Sequence, residues 1–231
     1  MTTQNYVSKI FIIHYTKLIS RRIHMEDQLS KWFPNTPVEF MEPFDQEVVS
    51  PQNIDNNFDM AAFRKRHNRA MKPGEISLSL KFKEVFKKIA SEEPGEYFLV
   101  LEDDVIFKED PVTYIDKVLT RCETENIDFD CIFMGEAAMR VGDNRDIFVK
   151  KEHPATNGLC TVLYKKGSVE RLHANLATRR ITQPMDWELN DRFKELDFNV
   201  YWGKAITAHG SVLAVGDGSL VGLKSTLRDN Y

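Results

Sequence analysis

The chain opens its ordered pattern with a short isoleucine-rich run, Lys9 to His14, after which Leu18, Ile19, Ile23, Leu29 and Trp32 recur at helical spacing. A strand followed by a helix is expected. Val38 to Met41 reads as a second strand, and Pro43 to Asn57, rich in amides and holding two prolines, reads as loop. Lys72-Pro73-Gly74-Glu75 then punctuates the chain ahead of a helix whose broad apolar face comprises Ile76, Leu78, Leu80, Phe82, Val85, Phe86 and Ile89. That helix should end near Glu93-Pro94-Gly95. Tyr97 to Leu101 is a continuous apolar run of strand length, the pattern of a central strand covered on both faces. Beyond it, helix is expected over Val112 to Cys122, strand over Phe129 to Met134, and a polar excursion over Val141 to Lys151. The remainder reads as strand (Gly158 to Tyr164), two helices (Lys166 to Leu176 and Asp186 to Leu196), strand (Asn199 to Trp202) and a glycine-rich tail after Gly210.

Alternation of strand and helix over the whole length predicts an α/β protein with a central sheet flanked by helices. At 231 residues, with 42% hydrophobic and 29% charged positions, the chain has enough apolar side chains for one well-buried domain. The net charge of -4, with both signs interspersed, provides no stripe for a nucleic-acid partner. One basic cluster, Arg64-Lys65-Arg66-His67 with Arg69 and Lys72, is read chiefly as a solvated helix face and secondarily as a phosphate contact. Cys122, Cys131 and Cys160 lack zinc-like or redox spacing and read as reduced thiols. Ser8 to Ile13 is too short, and too soon followed by charge, for a signal peptide or membrane span. A cytoplasmic location is expected, with peripheral membrane contact left open and the oligomeric state undetermined.

Chemistry concentrates where the apolar run Tyr97 to Leu101 meets Glu102-Asp103-Asp104. In open α/β sheets ligands bind at the carboxyl ends of strands, and three acids there repel one another unless a cation or proton intervenes. Glu102 and Asp104, one residue apart, fall on one side of an extended chain and suit a hard divalent ion, magnesium or manganese. A solvated acidic turn partly neutralised by Lys108 is the competing explanation.

Leu101-Glu102-Asp103-Asp104-Val105 resembles the acidic motif of glycosyltransferase family 25, which includes lipopolysaccharide and collagen glycosyltransferases. Ile12-Ile13-His14-Tyr15 followed by Arg21 and Arg22, Pro73-Gly74-Glu75-Ile76-Ser77 opening a helix, and Pro184-Met185-Asp186-Trp187 are similar to other family segments in the same order. The resemblance implies a single GT-A-like domain with a Rossmann-like mixed sheet, residues 1–105 forming a nucleotide-binding half and 106–231 an acceptor-binding half. It also implies a UDP-sugar donor, a manganese-type ion and inversion at the anomeric carbon. Lys81 and Phe82 depart from it, standing where the family usually carries a Ser-His pair.

By the same resemblance Asp104 binds the metal, Glu102 binds metal or donor, and Asp103 adjoins the donor. His209, the only histidine after His173, is the third metal candidate. Asp186 is expected to be the general base, with Glu188 and Asp191 in reserve, although Asp at a helix start is also a common cap. His14, Tyr15 and Thr16 would receive uracil and ribose, with Arg21 or Arg22 near the phosphates. Glu75 and Ser77 would contact the donor, and Asn157 and Thr161 are weaker candidates for sugar contact. The function expected is transfer of a hexose, galactose or glucose, from a UDP-sugar to a glycan or hydroxylated acceptor. Two alternatives stay open: a catalytically silent nucleotide-sugar binding protein, and a metal-dependent phosphoryl-transfer enzyme.

Overall fold

The computed structural model describes residues 6–91, 94–136, 148–151 and 158–210. Asn157, most of the 141–151 excursion and the tail beyond Gly210 lie outside them. The elements run β1 (Val7–Ile13), α1 (Ile19–Trp32), β2 (Val38–Met41), α2 (Pro51–Asn57), α3 (Met60–His67), α4 (Pro73–Ser91), β3 (Tyr97–Glu102) and β4 (Val105–Phe107). They continue with α5 (Pro111–Thr124), β5 (Cys131–Gly135), β6 (Phe148–Lys150), β7 (Thr161–Lys165), α6 (Lys166–Thr178), α7 (Met185–Glu195) and β8 (Val200–His209).

The strands form one mixed sheet in the order β2-β1-β3-β7-β5-β8-β4, with β6 also paired to β8. Period-two alternation assigns the two faces. Phe98 and Val100 of β3 join α4, α6 and α7 in one apolar layer, while Leu99 and Leu101 join α1 and α5 in the other. Both faces of β3 are thus covered, as its unbroken apolar run predicts.

Three elements differ from the pattern-based expectation, each for a physical reason. Pro51–Asn57 is a helix, because Ser50 and Asn53 form a reciprocal capping box and Pro51 occupies the first turn. On α1 the buried positions are Arg21, Met25 and Leu29, whereas Ile19 and Ile23 are 66% and 54% exposed. The helix is turned so that Arg21 meets buried acids, a tertiary demand that hydrophobic spacing does not encode. Strand β8 runs to His209, well past Trp202, since its second half pairs antiparallel with the short β4 and places Val105 opposite His209.

Helix α1 also closes the outer edge of β4. The Gln28 amide donates to Val105 O at 2.8 Å and accepts from Phe107 N at 2.8 Å, as a neighbouring strand would. Substituting Gln28 by Ala removes the side-chain acceptor of Phe107 N, while Val105 O keeps His24 Nε2 at 3.0 Å, and should cost about 1–3 kcal/mol, read as a lowered urea midpoint at unchanged m-value.

Candidate active site

Three consecutive acids leave the end of β3, and the structure separates their roles. Asp103 turns inward and is buried. His14 Nδ1 lies 2.8 Å from one of its oxygens, which also accepts from Tyr15 N at 3.2 Å, and Arg21 donates to the other at 2.6 Å. The same guanidinium lies 3.5 Å from Asp104. Asp103 is therefore a structural hub that ties the end of β1 and helix α1 to the acidic segment.

Glu102 ends β3, and Asp104 follows Asp103 in the turn that leads into β4. His209 is brought to them from 105 residues away by the register of β4 on β8, and Gly210 N donates to Asp104 O at 2.6 Å. Ligand-type atoms of Glu102, Asp104 and His209 all lie within 4.8 Å of one another. The charge state reflects this crowding. Burial, with Asp104 and Asp103 nearby and His209 opposing, pushes the Glu102 carboxyl up to about 7. Burial disfavours the His209 imidazolium, yet hydrogen bonding to Asp104 and Cys160 and the field of Glu102 push it up to about 11. Without a cation, the acids draw a proton onto His209.

The floor of this cluster is tightly packed. Glu102 N donates to Cys160 O at 3.0 Å, and a methyl group added at Gly135 on β5 would meet Cys160 Sγ at 2.1 Å. Thr161, expected as a sugar contact, is instead buried, with its hydroxyl 2.6 Å from that of Thr207.

A cavity of about 410 Å³ opens beside the cluster, lined by Glu102 and His209 at one end and by Asp186 at the N-terminal turn of α7. Asp186 is not an N-cap by side chain, since Pro184 holds that position. Its oxygens accept from Gly158 N at 3.2 Å and Trp187 N at 3.0 Å. Burial raises its pKa, with those backbone hydrogen bonds opposing. The reserve acids are engaged elsewhere. Glu188 is buried, paired with Arg192 and bonded to Thr182 N, and Asp191 accepts from Gln183 at 2.6 Å and Arg66 at 3.3 Å.

Glu75 also lines the cavity, clasped by Arg69 at 2.6 and 2.7 Å, and it accepts from Lys72 N at 2.8 Å, capping α4. Arg69 and His67, read in sequence mainly as part of a solvated basic face, line the same wall. Their proximity follows from the turn between α3 and α4, which no periodicity reveals.

Other expected contacts lie apart from this cavity. His14 is locked to Asp103. The Tyr15 hydroxyl donates to Glu47, and Thr16 N donates to Asp45 at 3.1 Å, so both hold the loop after β2. Arg22 points outward, paired with Glu26 and Glu42 and stacked over Phe40 at 4.4 Å; of the two arginines it is Arg21 that reaches the acids. Ser77 is buried within α4. Lys81, the departure from the family pattern, is a buried clamp. It donates to His14 O and pairs with Asp45 at 2.5 Å, and burial lowers its pKa.

The chain belongs to glycosyltransferase family 25: the family model described as "Glycosyltransferase family 25 (LPS biosynthesis protein)" matches residues 7–161. It is accordingly a transferase whose chemistry is glycosyl transfer. Among solved structures it is similar to a glycosyltransferase involved in the glycosylation of the major capsid of PBCV-1, with 15% identity and a TM-score of 0.42 over 87% of this chain and 92% of that one. It is also similar to 4-diphosphocytidyl-2C-methyl-D-erythritol synthase from Anaerococcus prevotii DSM 20548, with 11% identity and a TM-score of 0.37 over 86% and 89%. No curated protein matches it by sequence. Among the described residues no helix is long and apolar enough to cross a membrane.

The hub and the cluster should separate experimentally. Asp103→Ala strands His14 and Arg21 in a buried site and should cost about 3–5 kcal/mol, with a Tm drop of about 6–20 °C by calorimetry. Asp104→Ala, which removes a cluster acid at the edge of the hub, should lower Tm less in the same calorimetric comparison.

Proposed function

We propose that this protein is an inverting, metal-dependent hexosyltransferase that moves galactose or glucose from a UDP-sugar to a glycan or hydroxylated acceptor. The observation that carries the reading is the clustering of Glu102, Asp104 and His209, with ligand-type atoms within 4.8 Å of one another, where Glu102 and His209 line a cavity that Asp186 also lines. Two carboxylates and an imidazole fit a divalent ion, and the imidazole favours manganese over magnesium. Glu102, Asp104 and His209 would hold it, and when bound it supplies neutralising charge for the departing diphosphate.

Asp186 has the properties of a general base. Among the described residues, the backbone N–H groups of Gly158 and Trp187 donate to its carboxylate, and its raised pKa makes it a better proton acceptor than an exposed aspartate. In the single displacement proposed, Asp186 takes the proton of the acceptor hydroxyl as that oxygen bonds to the anomeric carbon. The bond from that carbon to the diphosphate oxygen breaks, and UDP leaves with the electron pair. Arg69, at the cavity wall, is a second positive group within reach of phosphate if it exchanges Glu75 for a ligand oxygen.

The nucleotide would lie toward the end of β1. Ile13 pairs with Glu102, so Tyr15 and Thr16 follow directly beside the acidic segment. This keeps residues 1–105 as the donor-binding half of a single domain, with α7 on the acceptor side.

UDP release from UDP-galactose or UDP-glucose should require manganese and stop on chelation. Asp186→Asn should retain calorimetric donor binding yet lose about 10²- to 10⁴-fold in kcat. A wild-type protein that binds donor without releasing UDP would instead be the silent binder, and failure to bind any nucleotide sugar with manganese present would sink the reading. The pH dependence has a definite sign. Asp186 works ionised, so activity is present above its raised pKa and lost as pH falls through it. The acidic limb of kcat/KM should therefore lie above the ordinary aspartate value of 3.8.

A further inference from the structure

Trp187 follows the proposed base directly, and the two side chains have opposite environments. Asp186 is held by Gly158 N and Trp187 N, whereas Trp187 is 44% exposed and lines the cavity. Leaving a large indole in water forgoes apolar burial that the adjacent core, with Met185 and Leu189 wholly inside, could have provided.

Its backbone is anchored, and the His67 ring braces the indole. Trp187 N also donates to Pro184 O at 3.0 Å, Gln183 donates to Trp187 O at 3.1 Å, and the His67 ring stands edge-on to the indole at 6.1 Å. His67 is itself backed by Phe63 at 4.5 Å. A rigid aromatic wall therefore rises beside the carboxylate, with the polar Arg69–Glu75 pair on the same cavity.

A pyranose ring fits that combination. One of its faces presents C–H groups that pack on an aromatic ring, while its edge presents hydroxyls for charged and amide partners. An extended hydroxylated side chain has no such face.

We infer that Trp187, braced by His67, is the platform on which the acceptor's sugar ring stacks, orienting one hydroxyl toward Asp186, and that the acceptor is consequently a glycan. This rests on the transferase reading above and narrows its acceptor.

The test uses the full chain with manganese, and methyl β-D-galactopyranoside and methyl β-D-glucopyranoside as probes. Saturation-transfer NMR should show strongest transfer to the ring C–H protons of a bound pyranoside, lost in Trp187→Ala and kept in Trp187→Phe. In transfer assays Trp187→Ala should raise the pyranoside KM about 10- to 30-fold, the effect of truncating an aromatic anchor, with donor KM near wild type. Trp187→Phe should restore most of it.

Equal NMR transfer in wild type and Trp187→Ala would overturn the inference. So would parallel rises in donor and acceptor KM, or saturation by a peptide carrying hydroxylated side chains with no pyranoside bound. If the wild type releases no UDP from any nucleotide sugar, the transferase reading fails by itself, and the NMR comparison still decides the platform.

Discussion

Three adjacent carboxylates at the mouth of a buried strand cannot all remain charged and facing one another, and the way the fold resolves that repulsion organises everything around it. Asp103 is buried, with Arg21 and His14 bonded to its two oxygens. Glu102 and Asp104 are left clustered with His209, with a shared need for positive charge. His209 stands beside both, and hydrogen bonding to Asp104 and Cys160 with the field of Glu102 pushes its pKa up to about 11 against the effect of burial. A divalent ion would answer that need, since one centre can meet both carboxylates and the imidazole at once.

The same constraint explains features that look unrelated along the chain. Helix α1 exposes Ile19 and Ile23 because the face carrying Arg21 is required inside, and Gln28 on that helix fixes the β4 segment that follows the acids. Lys81, at first sight a departure that weakens the case for an active enzyme, secures the end of β1 by binding His14 O and Asp45. It supports the residue that holds Asp103. The departure is thus part of the scaffold beneath the acids, while Glu75 and Leu78 of the same helix line the cavity.

Separation of charge roles extends across the cavity. The metal-type cluster sits at the sheet, while Asp186 stands on α7 with its backbone donors, and Glu188 and Asp191 are committed to pairs that hold the helix in place. One end is suited to neutralising a leaving group and the other to accepting a proton. That division is what displacement at an anomeric carbon requires.

Local signals in the chain determined the α/β order, the covered β3 strand with its acids, the apolar face of α4 and the helix carrying Asp186, because each depends on spacing within a few residues. The capping box of Ser50 and Asn53 is also local, but the amide-rich, proline-containing stretch Pro43 to Asn57 reads as loop. Only tertiary structure decided that Asp103 is buried, that Arg21 and not Arg22 reaches the acids, that β8 extends to deliver His209, and that His67 and Arg69 share a wall with Glu75 and Trp187. Those outcomes depend on partners more than 100 residues apart, such as His209 with Asp104 and Trp187 with His67. Sheet register and charge pairing bring such partners together through space, and neither leaves a local period in the chain.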